Sequence, residues 1–194
     1  MARRLFEVGG VTLGWIIANF LGVAAIEAFI LIYPFLRFIP RRLLSTLSIG
    51  LPIGIAQWVA LRRVAPISIL WVLTIPAGLL LGVEVGPILG GIWGFADDES
   101  VLAMTVSAAN FGLLFGLVQW LFLRPHFAKS GIWLLGSAAG LGLGISLVLV
   151  SNLIDYGLLS IIVVTLVYAI ATGLVISWLR ASHRKSESHL VRAP

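Results

Sequence analysis

The chain reads as an all-α, polytopic integral membrane protein of about six transmembrane helices, and three observations lead there. Of its 194 residues, 60% are apolar and only 11% are charged, with a mean hydropathy of +1.09, which excludes an ordinary water-soluble domain. The apolar residues gather into six stretches, each long enough for a hydrocarbon core that takes about 20 helical residues to cross. Finally, residues 49–82 recur as residues 111–144, displaced by 62 positions.

The expected spans are 9–33, 43–64, 67–94, 101–123, 131–154 and 156–180, within one transmembrane domain over 1–182. Backbone groups in lipid must be satisfied within the segment, so the spans are helices, and no strand-like alternation suggests a barrel. The first span follows Met1-Ala2-Arg3-Arg4, but it is too long for a signal-peptide core and no small-residue cleavage site follows, so it reads as a retained helix. Pro34 and Pro40 end it and keep Tyr33–Arg42 as a short interfacial segment, with a docking surface for a partner subunit as the sharper alternative. Glycines recur at four-residue spacing in Gly10/Gly14, Gly50/Gly54, Gly78/Gly82/Gly86/Gly90, Gly112/Gly116 and Gly136/Gly140/Gly144. Such four-residue ridges let helix backbones approach closely. The sixth span ends at Ser177-Trp178-Leu179-Arg180, and the polar tail 183–194 is expected to be disordered and cytoplasmic.

Orientation follows from charge. Arg3, Arg4, Arg62, Arg63, Arg124, Lys129, Arg180, Arg184, Lys185 and Arg192 share one side, against Arg37, Arg41 and Arg42 on the other. The positive-inside rule places both termini in the cytoplasm. Trp15, Trp58, Trp71, Trp120, Trp133 and Trp178 fall one per span toward that same side, where indole is expected at headgroup level. A basic pI near 10.5 is accounted for by these helix-end charges, so no nucleic-acid partner is expected.

The repeat preserves 15 of 34 aligned residues, among them the string Gln57-Trp58-x-x-Leu61-Arg62, which recurs as Gln119-Trp120-x-x-Leu123-Arg124. Each copy holds two helices, so the copies are parallel rather than inverted. Trp15 precedes Gly22 as Trp71 precedes Gly78 and Trp133 precedes Gly140, and Ser177-Trp178-Leu179-Arg180 echoes the string. Helices six and one therefore form a candidate third hairpin of a pseudo-threefold ring. Gln57 and Gln119 read as interhelical hydrogen-bonders, with a ligand contact as the sharper reading. Arg62 and Arg124 read as headgroup anchors.

Glu27 and Glu84 are the pointed exceptions. Both fall in odd spans in the outer half of the bilayer, where a carboxylate is costly and marks a functional site by default. Asn110, Asn152 and Asp155 share that depth, and the set is a candidate cation- or proton-accessible vestibule. The plainer reading is a protonated carboxyl bonded to a nearby carbonyl. The absence of cysteine removes disulfides and thiolate metal sites. His126, His183 and His189 all lie outside the spans, and no Ser-His-Asp set, phosphate-binding loop or zinc helix motif is present. Neither a metal nor catalysis is expected.

Through Gly-x-x-x-Gly-x-x-Gln-Trp-x-x-Leu-Arg followed by Trp and Gly-x-x-x-Gly, residues 49–144 resemble a group of bacterial multi-pass membrane proteins that have no assigned activity. That resemblance implies a six-helix membrane fold in a bacterial cytoplasmic, intracytoplasmic or thylakoid membrane, and brings no catalytic residues. Its setting suggests a photosynthetic or respiratory complex. The leading function is a structural or accessory membrane subunit, packing against lipids, protein partners or a second copy of itself. No cofactor is predicted, though a bound lipid or pigment fits this role. The alternative is a small transporter or channel using Glu27 and Glu84.

Overall fold

The computed structural model describes residues 2–30, 41–92, 100–153 and 157–190. The segment from Tyr33 to Pro40, Trp93, the acidic run Asp97-Asp98-Glu99 and Asp155 lie outside the described residues. Among those described, all regular structure is helical: α1 (Ala2–Ile30), α2 (Arg41–Leu61), a 3-10 turn (Ile69–Leu73), α3 (Thr74–Ile92), α4 (Val101–Leu123), α5 (Ile132–Val150) and α6 (Leu158–Leu190). Three apolar helical segments, Val101–Leu123, Ile132–Val150 and Leu159–His183, are long enough to cross a membrane. Gly10–Ala25, Thr46–Leu61 and Ile69–Gly82 are shorter apolar stretches.

Each helix packs on its neighbours in the chain, and α6 packs back on α1, so the six close into a ring. Every seam seats a glycine. Gly22 of α1 faces Ile53 of α2, Gly54 of α2 faces the Val72 carbonyl, and Gly78 of α3 faces Phe115 of α4. Gly112 and Gly116 of α4 meet Ser137 of α5, Gly140 of α5 meets Tyr168 of α6, and Gly173 of α6 meets Thr12 and Trp15 of α1. A Cβ at Gly22, Gly54, Gly78 or Gly112 would collide with backbone or a packed ring, at a cost of about 1–3 kcal/mol, while one at Gly173 would be tight. Gly10 and Gly14 differ, since nothing lies within 4 Å of where their Cβ would stand.

Local chemistry sets the helix ends. The third span was expected as one piece, but it breaks after Leu73. Ser68 Oγ accepts from the Leu70 amide at 3.2 Å and Thr74 Oγ1 donates to the Trp71 carbonyl at 2.7 Å. Pro76 sits in the first turn of α3, where its missing N–H is tolerated, and so cannot bond the Val72 carbonyl that rests on Gly54. Ser100 caps α4 by accepting from the Ala103 amide at 3.2 Å. At the end of α5, Asn152 adopts φ +52°, with Asn152 N–H bonded to the Leu149 carbonyl and Leu153 N–H to the Val148 carbonyl. This is a Schellman turn, whose left-handed position suits Asn. Beyond His183, where disorder was expected, α6 stays helical as far as Leu190. Arg184, Lys185 and Glu187 are adequate helix formers, and cations suit a helix C-terminus.

The ring is apolar outside and has two buried clusters within. Leu13, Leu21, Ile88, Leu135, Leu143 and Leu174 are each more than half exposed. One inner cluster unites Trp15, Leu61, Ile67, Trp71, Leu123, Phe127, Trp133, Ile176 and Leu179. It lies at the end that carries Arg62, Arg124 and Arg180, and it plugs the ring there. Above it stand Ile75, Phe115 and Tyr168, packed with Ile53, Leu79 and Leu141.

Candidate functional site

The first correction concerns tryptophan. Trp15, Trp71 and Trp133 were expected at headgroup level, yet they are 1%, 0% and 0% exposed. Each lies on the inner face of an odd-numbered helix segment. Trp133 stands edge-to-face with Trp15 at 5.8 Å and with Trp71 at 6.2 Å. An indole can leave the interface when a buried acceptor takes its N–H. Trp133 donates to Gln119 Oε1 at 3.1 Å and Trp15 to Thr172 Oγ1 at 2.9 Å, while Trp71 Nε1 has no hydrogen-bond partner. The other three stay toward the outside. Trp58 and Trp120 are half-buried and Trp178 is 42% exposed. Arg62, Arg124 and Lys129 place their cations over these rings at 4.8, 5.6 and 5.8 Å.

The indoles border a buried polar network. Gln119 Nε2 donates to Gln57 Oε1 at 3.3 Å, and Gln57 Nε2 donates to Asn19 Oδ1 at 2.8 Å. Asn19 Nδ2 then donates to the Trp15 carbonyl at 2.9 Å. Tyr168 donates its hydroxyl to Gln119 Oε1 at 3.2 Å, and Thr172 returns its own hydroxyl to the Tyr168 carbonyl at 2.6 Å. Helices α1, α2, α4, α5 and α6 thus meet through side-chain bonds at the axis. The plain reading of Gln57 and Gln119 as interhelical bonders describes this geometry.

Asn19, Tyr168 and Thr172 were missed. Thr172 holds the place in α6 that Gln57 and Gln119 hold in α2 and α4. Its neighbours Tyr168 and Ile176 stand where Ile53/Leu61 and Phe115/Leu123 flank the glutamines at four-residue spacing. The echo at Ser177-Trp178 misled because it matched letters instead of this spacing.

A chamber of about 140 Å³ lies directly above the network, lined from all six helices, by Asn19, Val23, Ile53, Leu79, Phe115 and Tyr168 among others. Phe111, Leu141 and Val164 line both this chamber and an adjoining apolar one of about 400 Å³. Among the described residues, no charged side chain lines either.

Of the two carboxylates, only Glu84 has a described side chain. Glu84 is exposed on α3 and does not line the chambers. Glu27 belongs to α1, but its side chain lies outside the described residues. Asn110 is half-buried in α4, and Asn152 is exposed at the left-handed position that ends α5. The expected outer vestibule also involves Glu27 and Asp155, whose side chains lie outside the described residues. Among them no three His, Asp or Glu side chains could hold a metal ion.

At the arginine end, two clefts share Val64 and Arg180. One, of about 270 Å³, lies among α1, α2 and α6 with Gly10, Gly14, Trp15 and Arg63 on its walls. The other, of about 440 Å³, is lined by Pro66, His126, Phe127 and His183. Both present cations beside apolar walls. No family model, curated protein or solved structure matches the chain. Its class therefore rests on its own architecture, an all-α ring of six helices with a polar centre.

Proposed function

We propose that the chain is an integral membrane accessory protein, a non-enzymatic scaffold that holds apolar molecules and partner proteins within a bacterial membrane. The observation that carries this reading is the inversion of polarity. Amide, hydroxyl and indole groups bond one another at the axis, while leucine and isoleucine cover the outside. In water that surface would associate; in lipid it is the ordinary one. Interhelical bonds of this kind contribute about 0.6 kcal/mol each, so the glycine seams and packing supply most of the cohesion.

In this reading all six helices span, including the three shorter apolar stretches, and the ring is three hairpins about a pseudo-threefold axis. The triplets Trp15/Trp71/Trp133, Gln57/Gln119/Thr172 and Gly22/Gly78/Gly140 support it. The arginine end faces the cytoplasm, where Arg62, Arg63, Arg124 and Arg180 meet lipid phosphates. The transporter alternative draws less support, because Glu84 is away from the chambers and the indole–leucine plug fills the ring at its arginine end.

Purification from native membranes in mild detergent, with identification of co-purifying chains and small molecules, tests the proposal. Stable association with a partner or an apolar molecule is expected. A bare monomer, recovered with neither, would overturn it.

A further inference from the structure

The chamber above the network has a defined chemistry. Asn19, only 2% exposed, uses one amide N–H on the Trp15 carbonyl and keeps a second. Tyr168, 6% exposed, donates its hydroxyl hydrogen to Gln119 and retains lone pairs to accept with. Gln57 lies directly beneath them. The floor thus offers one amide donor, and a buried N–H left unmatched is costly. The described walls are Val23, Ile53, Leu79 and Phe115, all uncharged. An apolar cavity of about 150 Å³ takes up one benzene ring, so a chamber of about 140 Å³ matches a single six-membered ring. The adjoining space of about 400 Å³, reached past Phe111 and Val164, has room for an apolar substituent.

From these observations we infer that the chamber binds a neutral, lipid-soluble ring compound with a carbonyl head and an apolar tail, the chemistry of a lipid quinone. The carbonyl accepts from the Asn19 amide, the ring lies among Ile53, Leu79 and Phe115, and the tail occupies the adjoining space. A neutral head suits a lining in which the described side chains carry no charge. This inference rests on the membrane reading, since such a ligand would enter from lipid.

The test uses the full chain in phospholipid nanodiscs, titrated with a decyl-substituted benzoquinone and with decylbenzene as the headless control. Retention of the chain in alkaline-washed membranes is measured first. A chain that washes off sinks the membrane reading, whereas a retained chain that fails to bind sinks only the site. Saturable binding near one quinone per chain is expected, with decylbenzene competing at least tenfold more weakly. Asn19→Leu should weaken binding at least tenfold by removing the donor. Val23→Phe should do the same by filling the chamber without touching any hydrogen bond. Equal competition by decylbenzene, or unchanged binding in a folded Val23→Phe protein, would overturn the assignment.

Discussion

Trp133 donates its indole N–H to Gln119, 14 residues earlier in the chain, at 3.1 Å. Trp71 stands at the same spacing after Gln57, yet among the described residues its indole N–H has no partner, and Gln57 Oε1 accepts from Gln119 instead. The duplicated unit thus supplies one geometry twice, and the axis has room to satisfy it only once. Trp133→Phe should therefore lower stability more than Trp71→Phe, by about 1 kcal/mol, since both lose similar area and only the first loses a hydrogen bond. Thermal unfolding of the two variants in detergent decides it, and the reverse order would refute this account.

The two glutamines differ in the same way. Gln119 accepts from Trp133 and Tyr168 and donates to Gln57, while Gln57 links only Gln119 and Asn19. Gln119→Leu is expected to cost about 2 kcal/mol and Gln57→Leu about 1 kcal/mol, on the scale of buried groups left unmatched. Denaturant titration in mixed micelles reads the difference. Equal losses would mean that the bonds do not share load as drawn.

Glycine substitutions separate seams from open space. Gly54→Ala meets the Val72 carbonyl and Gly112→Ala meets the Ser137 carbonyl, so each should cost about 1–3 kcal/mol. Gly10→Ala enters open space and should be neutral or slightly stabilising, because Ala favours helix by about 1 kcal/mol. A scan of detergent melting temperatures orders the three. A Gly10→Ala loss as large as that of Gly54→Ala would show that the open face is occupied.

Thr172 offers the narrowest probe. Thr172→Val keeps the shape but removes the acceptor of the Trp15 indole, and should cost about 1 kcal/mol. Thr172→Ser keeps a hydroxyl and should recover most of it. If Ser and Val behave alike, packing rather than the bond holds Trp15.

Orientation is tested with reporter fusions at Lys129 and at Pro194, both expected to report the cytoplasm. An exported reporter at either position would reject six spans with cytoplasmic ends.

The sequence by itself determined the helical class, the doubled unit and the residues that would make close seams. Those are local matters: long apolar runs, a spacing and the absence of Cβ. It also marked Gln57 and Gln119, because a rare string occurs twice. Angle and partnership were beyond it. Gln57 and Trp58 are adjacent, and about a third of a helical turn sends one to the axis and the other to the rim under Arg62. The same rotation carries Trp15, Trp71 and Trp133 inward, where interface preference alone would have left them outside. Asn19, Tyr168 and Thr172 come from opposite ends of the chain, and only closure of α6 onto α1 brings them together. Glu84 drew attention because charge in an apolar run is conspicuous, but among the described residues the groups that bond at the centre are uncharged. A buried site favours amides and hydroxyls that can satisfy one another without the desolvation cost of a charge.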